Sequence, residues 1–403
     1  MKIFLFVLLS TAWLNLRADG WIQKSNLSAG AIDYAAGFSI GKKGYIGTGD
    51  VSQLAQDFWE YDQDNNSWTQ KSNFGGNGRS VAVGFSIGTQ GYIGLGYSTG
   101  MFYQDLWEYD PTTDTWTQKA DFGGQPRRSA SVFTIGSKSY VGLGIGQGGI
   151  CFQDFWEYNP ITNSWTQIAD FPAGPRYGAS SFSIGSKGYV CSGYNSFGVF
   201  YRDLWEYDPS LNTWSQKSDL PGFSRDLASG FAINNKGYIG TGIDSTGSIN
   251  FDDFWEYDPT NDTWLQKSNF GGVARNGAVG FSIGSFGYLG TGWNSPTILN
   301  DFWEYTPDSI LSTNNQVLQQ ESIFSVFPNP SSGQFQITYL ANNHESLVLK
   351  IFNVDGKELY SEKPSVDNGI NHLAINIKFQ PGLYLIEINN GLNIIHKNHI
   401  ITN

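Results

Sequence analysis

The chain of 403 residues carries 49 Gly, 14 Trp, 21 Tyr and 28 Phe, while only 15% of it is charged. Aromatic side chains favour strands and glycine favours turns, so an all-β protein is expected. A net charge of −12 excludes nucleic acid as a partner, since phosphate contacts need clustered Lys and Arg, and argues equally against docking on an anionic membrane.

The N-terminus places Lys2 before an apolar run, Ile3 to Leu9, continued by Trp13 and Leu14. This pattern predicts a secretory signal peptide over residues 1–18, with cleavage near Ala18. It is too short for a membrane span, and no later stretch reaches the roughly 18 apolar residues that a transmembrane segment needs.

From residue 21 onward one phrase recurs six times, as QDFWEYD, QDLWEYD, QDFWEYN, RDLWEYD, DDFWEYD and NDFWEYT. Its tryptophans are Trp59, Trp107, Trp156, Trp205, Trp255 and Trp303, spaced by 48 to 50 residues. A second series runs Trp21, Trp68, Trp116, Trp165, Trp214 and Trp264. Two further β-like runs lie in each unit, such as VAVGFSIG and GYIGLG. Four short strands per unit of about 50 residues predict a propeller blade. In the second unit the strands are A around Phe85, B from Tyr92, C from Asp105 and D from Trp116.

The last unit ends at Tyr305 with no following D-strand Trp, and the first begins with an orphan D strand at Trp21. The N-terminal strand must complete the sixth blade, which removes two open sheet edges.

Each unit also has a glycine-rich end to strand B and a Tyr followed seven residues later by Trp, as in Tyr61 and Trp68. With these features residues 21–305 resemble kelch repeats, although the family's Gly-Gly pair stands here as Gly-x-Gly, as at Gly94 and Gly96. The resemblance implies a six-bladed kelch-type β-propeller with strand A innermost. Galactose oxidase is a kelch-type enzyme that holds copper through His and Tyr, and residues 1–343 here contain no His. No cofactor, metal or histidine-based catalysis is therefore expected of the propeller.

Identical tryptophans in every blade read as packing between blades, so function is sought where the units differ. The segments D to A, A to B and C to D are constant in length, whereas B to C spans 8, 9, 10, 10, 11 and 9 residues. Strand alternation puts these variable loops and the D–A connections on one face. The loops carry Tyr103, Tyr201, Trp293 and other aromatics, so this face is expected to bind a ligand.

Arg79, Arg127, Arg176, Arg225 and Arg275 reach the same face, each six residues before the strand A Phe, with Ile32 at the first unit's equivalent place. By the resemblance these five ring the channel mouth. Two readings stand: each pairs with the Asp that opens strand C, or some bind an anionic ligand. Cys151 and Cys191 lie on the variable face of adjacent blades, where a disulfide is expected, with two free thiols the alternative.

After Tyr305 a polar linker, residues 306–322, leads to residues 323–403, whose alternating runs predict a small β-sandwich. FPNP at Phe327–Pro330, IFNVDGKEL at Ile351–Leu359 and PGLYLIEI at Pro381–Ile388 make this segment resemble the type A sorting domain of type IX secretion. The resemblance implies passage through the periplasm, recognition by the outer-membrane secretion machinery, and either attachment to the cell surface or release. The expected function is an exported, monomeric, non-catalytic propeller that binds a glycan or protein. The alternative is an extracellular lyase or epimerase that uses Arg and Tyr at the channel mouth.

Overall fold

A computed structural model describes residues 19–50, 54–308, 324–327, 334–341, 347–353, 356–365, 369–376, 379–389 and 394–401. The expected signal peptide, 1–18, and all but the first three residues of the expected linker lie outside the described residues. Asp19–Pro307 forms one compact unit, and the described residues of the C-terminal segment belong to another.

The first unit is built from six four-stranded antiparallel sheets. The second sheet is typical: Val83–Ile87, Gln90–Gly94, Leu106–Asp110 and Thr115–Gln118 pair in sequence order as strands A to D. Consecutive A strands pack side by side around a closed circuit, the sixth against the first, so the sheets are blades about an axis. Their A strands approach so closely that a Cβ on Gly84 would stand 2.9 Å from the Gly37 nitrogen of the preceding blade.

The aromatic repeat fills the joints between blades. Trp68 and Tyr61 of the first blade pack on Phe302 of the sixth, at 5.0 and 4.9 Å between ring centres. Burying a large apolar side chain contributes roughly 1.5–3 kcal/mol, so the repeated rings hold together a unit poor in buried Leu.

A polar latch repeats beside them. Tyr61 hydroxyl and Ser25 N–H both donate to Asn66 Oδ1, at 3.0 and 2.9 Å. Asp114, Asn163, Asn212 and Asp262 accept the equivalent pairs in the next four blades. These five residues occupy left-handed turns, where Asn and Asp are favoured.

The sixth blade closes as the repeat requires. Strands Val279–Ile283, Phe286–Gly290 and Phe302–Thr306 are completed by Gly20–Lys24, with Trp21 opposite Tyr305. Asp19 takes over the latch, its Oδ2 accepting from Ser268 N–H at 2.8 Å and Tyr305 hydroxyl at 3.2 Å. One residue from the start of the chain thus stands in for a turn at its end.

The Gly-x-Gly ending strand B also has a backbone cause. Its middle residue and its last Gly both adopt left-handed φ, as at Leu95 (60°) and Gly96 (99°). A Cβ on Gly96 would meet the Ser80 carbonyl oxygen at 2.9 Å, so only Gly fits there.

The C-terminal unit has a three-stranded and a four-stranded antiparallel sheet. Phe335, Ile337 and Ile375 of the first share one buried core with Leu349, Ile351, Ile386, Ile388 and Ile401 of the second. Alternate inward-facing residues on two sheets make a sandwich.

Candidate functional site

The B–C loops and D–A connections meet on one face, and two consecutive residues of each D–A connection organise it. The first is the repeated arginine. Arg79 makes a two-pronged ion pair with Asp105, at 2.5 and 2.8 Å, and its Nη1 also donates to the Leu95 carbonyl at 3.0 Å. Arg127–Asp154, Arg176–Asp203, Arg225–Asp253 and Arg275–Asp301 repeat the pairing. Each aspartate also accepts the indole N–H of the strand C Trp two residues later, at 2.7 or 2.8 Å.

Aromatic rings close both sides of the guanidinium: Phe74 at 4.9 Å and Tyr103 at 3.9 Å for Arg79, Phe171 at 4.9 Å and Tyr201 at 3.6 Å for Arg176. Burial works against ionisation of Asp301, but the hydrogen bond and charge of Arg275 bring its pKa below the ordinary carboxylate value.

The expectation that these arginines open onto the channel mouth is therefore corrected. All five have zero exposure, enclosed by carboxylate, carbonyl and rings, and offer no surface to a ligand. Tyr103 and Tyr201, two of the expected ligand contacts, are partly exposed and stack on Arg79 and Arg176. In the first blade Ile32 fills the equivalent place, and Asp57 still accepts from Trp59.

The next residue varies between blades: Asp33, after Ile32, then Ser80, Arg128, Tyr177, Asp226 and Asn276, five residue types over six blades. Each bridges to the first residue beyond the Gly-x-Gly: Asp50, Tyr97, Ile145, Tyr194, Ile243 and Trp293. Trp293, a predicted site residue, thus stands next to this row.

One position further, Tyr34, Val81, Ser129, Gly178, Leu227 and Gly277 all adopt left-handed φ of 50–64°. Their backbones form a complete circle, in which Val81 N–H donates to Tyr34 O at 2.9 Å and the bond repeats blade by blade until Tyr34 N–H donates to Gly277 O at 3.1 Å. This circle is the axial mouth, and the variable row stands beside it.

Tyr34 of the first blade and Tyr177 of the fourth lie opposite each other, yet the charges of Asp226 and Arg128 act on both. Tyr34 hydroxyl donates to Asn276 Oδ1 at 3.2 Å. Asp226 is 6% exposed, and burial raises its pKa to about 7. Asp33 is 7% exposed, and burial together with the charge of Asp50 raises its pKa to about 6. Burial and nearby carboxylates raise both tyrosines to about 12, so they remain hydroxyl donors.

Sequence reasoning missed this row because it looked for changes of length. The available signal was five residue types over six blades at one fixed offset in an otherwise copied unit.

The two cysteines do not pair, which corrects the expected disulfide. Cys191 points into its blade with no exposure, its Sγ 3.8 Å from the Arg202 carbonyl, and burial pushes the thiol pKa up. Cys151 contacts the Ser196 hydroxyl at 2.8 Å on the neighbouring loop.

Outside the mouth, the loops leave apolar side chains in solvent, with Phe197 86% and Phe223 74% exposed. One open cleft runs between Met101, Phe102, Pro126 and Ile150, and another beside Phe223, Ile249 and Phe251.

Residues 175–221, from just before Arg176 to the end of that blade, match the Kelch motif, and residues 325–402 match the Secretion system C-terminal sorting domain. The chain is a kelch-type propeller with a type IX sorting domain. A solved structure titled "Structure of YjhT" shares the kelch propeller's fold, with a TM-score of 0.60 and 16% identity over 68% of this chain and 94% of that one. No curated protein matches the sequence. The sorting domain marks this kelch protein for export to the cell surface or beyond.

Proposed function

We propose that this exported kelch protein binds a glycan or protein ligand on its B–C loop face and leaves it chemically unchanged. One observation carries the reading: every length difference between blades, and the variable row at the axial mouth, lie on this one face of an otherwise uniform scaffold. Exposed Phe197 and Phe223, with the two open clefts beside the loops, supply flat apolar surface of the kind that saccharide rings and protein side chains both use. The test is a glycan array probed with the exported chain, alongside its Phe197→Ser and Phe223→Ser variants. Binding that both variants weaken supports the loop face; binding that neither variant changes refutes it.

A second reading has its own support. Asp226, with a pKa near neutrality, acts with Arg128 on both Tyr34 and Tyr177, and Asp33 acts on Tyr34, groups of the kind that move protons in a lyase or epimerase. Product analysis after long incubation with acidic polysaccharides separates the readings: a product lost in Asp226→Asn favours the enzyme.

A further inference from the structure

The cleft beside Phe223 gathers residues that break the repeat. The position before the strand C Asp is Gln56, Gln104 and Gln153 in the first three blades, and Gln56 Nε2 donates to the Gly76 carbonyl at 2.7 Å, tying strand C to the D–A connection. The fourth blade has Arg202 instead. Arg202 is the one exposed arginine among the described residues, and its nearest carboxylate, Asp219, stands 3.9 Å from Nε, beyond hydrogen-bond reach. Two residues before the repeated arginine the other units carry Asn77, Gln125, Gly174 and Val273, and this one carries Phe223. Both departures line a single open cleft of about 800 Å³, a size usual for ligand sites.

Phe223 is held flat. Its ring lies at 11° to that of Phe251, with 5.8 Å between centres, and Phe251 in turn rests on the buried Arg225 guanidinium at 4.4 Å. A ring already fixed by stacking loses little freedom when a ligand covers it. Polar groups with spare capacity line the same cleft. Asp252 accepts one bond, from Asn269 Nδ2 to Oδ1 at 3.3 Å, and among the described residues its Oδ2, the Gln266 amide and the Arg202 guanidinium make no hydrogen bond.

The charges select the ligand. Arg225 and Asp253 neutralise each other in a two-pronged pair, at 2.5 and 2.7 Å, which leaves Arg202 against Asp252. An anion drawn to Arg202 meets Asp252 and Asp219, and a cation drawn to Asp252 meets Arg202. A neutral molecule rich in hydroxyls uses both, because each hydroxyl donates and accepts. The C–H bonds on one side of a pyranose also suit the negative face of an aromatic ring. An apolar protein side chain would cover Phe223 but leave the polar groups dehydrated and unpaired, which is costly.

We propose that this cleft binds a neutral hexopyranose unit of a glycan chain, stacked on Phe223, with Arg202 donating to its hydroxyls and Asp252 accepting from them. The inference rests on the binding reading above and names the ligand class and the subsite.

The experiment is calorimetric titration of the exported chain at pH 7 with cellohexaose, mannohexaose and galactohexaose as neutral probes, hexagalacturonate as the acidic one and chitosan hexamer as the basic one. At least one neutral hexaose is expected to bind about tenfold more tightly than either charged chain, the scale of one charge-assisted hydrogen bond. Arg202→Gln and Phe223→Gln install the residues found at Gln56 and Gln125, so both should keep the parent's thermal unfolding transition. Each should weaken neutral binding about tenfold. Asp252→Asn should weaken it too, yet tighten binding of hexagalacturonate by removing the opposing carboxylate, a gain that a structural role would not produce. Equal or tighter binding of a charged hexamer by the parent, no binding of any neutral hexaose, or full neutral affinity in folded Arg202→Gln and Phe223→Gln overturns the inference. Neutral binding lost in Phe197→Ser but unchanged in Phe223→Gln, or a protein ligand that the hexaoses do not displace from Phe223, would overturn it while leaving the loop-face reading intact. A blank glycan array with no heat from any probe would sink both.

Discussion

Two rings of side chains on one face, a single residue apart in sequence, have opposite characters. The arginine ring is the same in five blades, wholly buried, and matched by aspartates in two-pronged geometry. The ring beside it has five residue types over six blades, two aspartates and one arginine among them, and the Oδ1 atoms of Asp33 and Asp226 have no hydrogen-bond partner among the described residues. The difference teaches how a repeat protein separates tasks. A contact that every blade must make is solved once and copied, while a position facing the axis has no equivalent neighbour to match and is free to differ.

The strongest way to break the comparison is to remove the copied contact. Arg225→Ala leaves the partly buried Asp253 without its counter-charge and empties the enclosed guanidinium site, a change on the scale of about 3–5 kcal/mol. Urea denaturation should show that loss, while Ser80→Ala at the variable ring should shift stability by about 0.5 kcal/mol or less. Equal effects would dissolve the distinction. Closure gives a similarly large effect: Trp21 packs on Phe254, Phe270 and Tyr305 at 4.9–5.0 Å. Trp21→Ala is expected to cost about 3–5 kcal/mol, read by the same denaturation.

Most of the propeller was legible in the sequence, for a physical reason. Six copies of Trp-Glu-Tyr at near-constant spacing can share only one packing environment, and an orphan Trp21 opposite a missing D strand leaves one way to close. The pairing of Arg with the strand C Asp was legible as one of two alternatives, since charge balance favoured it. The accessibility of those arginines was not, because Tyr103 and Tyr201 could be seen as loop aromatics but not as lids over a guanidinium. The axial row was hidden for another reason. Its members are brought together by a circle of left-handed residues, and five of the six (Tyr34, Val81, Ser129, Gly178 and Leu227) precede strand A without any shared side-chain type. Backbone geometry of that kind leaves no compositional trace.

An intermediate effect should come from Asp226. Its folded pKa, about 7, is raised above the ordinary carboxylate value, so the folded state holds a proton that the unfolded chain releases. Stability from this group is present below the unfolded pKa, near 4, and is lost as pH rises through about 7. Asp226→Asn removes the charge that burial opposes. Thermal unfolding should therefore show the variant gaining on the parent between pH 4 and pH 8, by a few kcal/mol at most. A constant difference across that range would mean that Asp226 ionises normally and the axial ring is as well matched as the arginine ring.

The smallest expected effect sharpens the comparison most, because it separates packing from polarity at the mouth. Tyr34 holds a ring residue in left-handed conformation, lies against Gly277, and donates its hydroxyl to Asn276 at 3.2 Å. Tyr34→Phe keeps the ring and its van der Waals contacts and deletes only the donor. An ordinary hydrogen bond contributes about 0.5–1.5 kcal/mol net, and Asn276 Nδ2 keeps its own bond to Asn250 at 2.7 Å. Stability should fall by no more than about 1.5 kcal/mol, while any binding that uses the mouth's donors should fall further. A variant that lost stability on the scale of Arg225→Ala would show that the axial residues carry the ring's cohesion, contrary to the division between a copied contact and a free one.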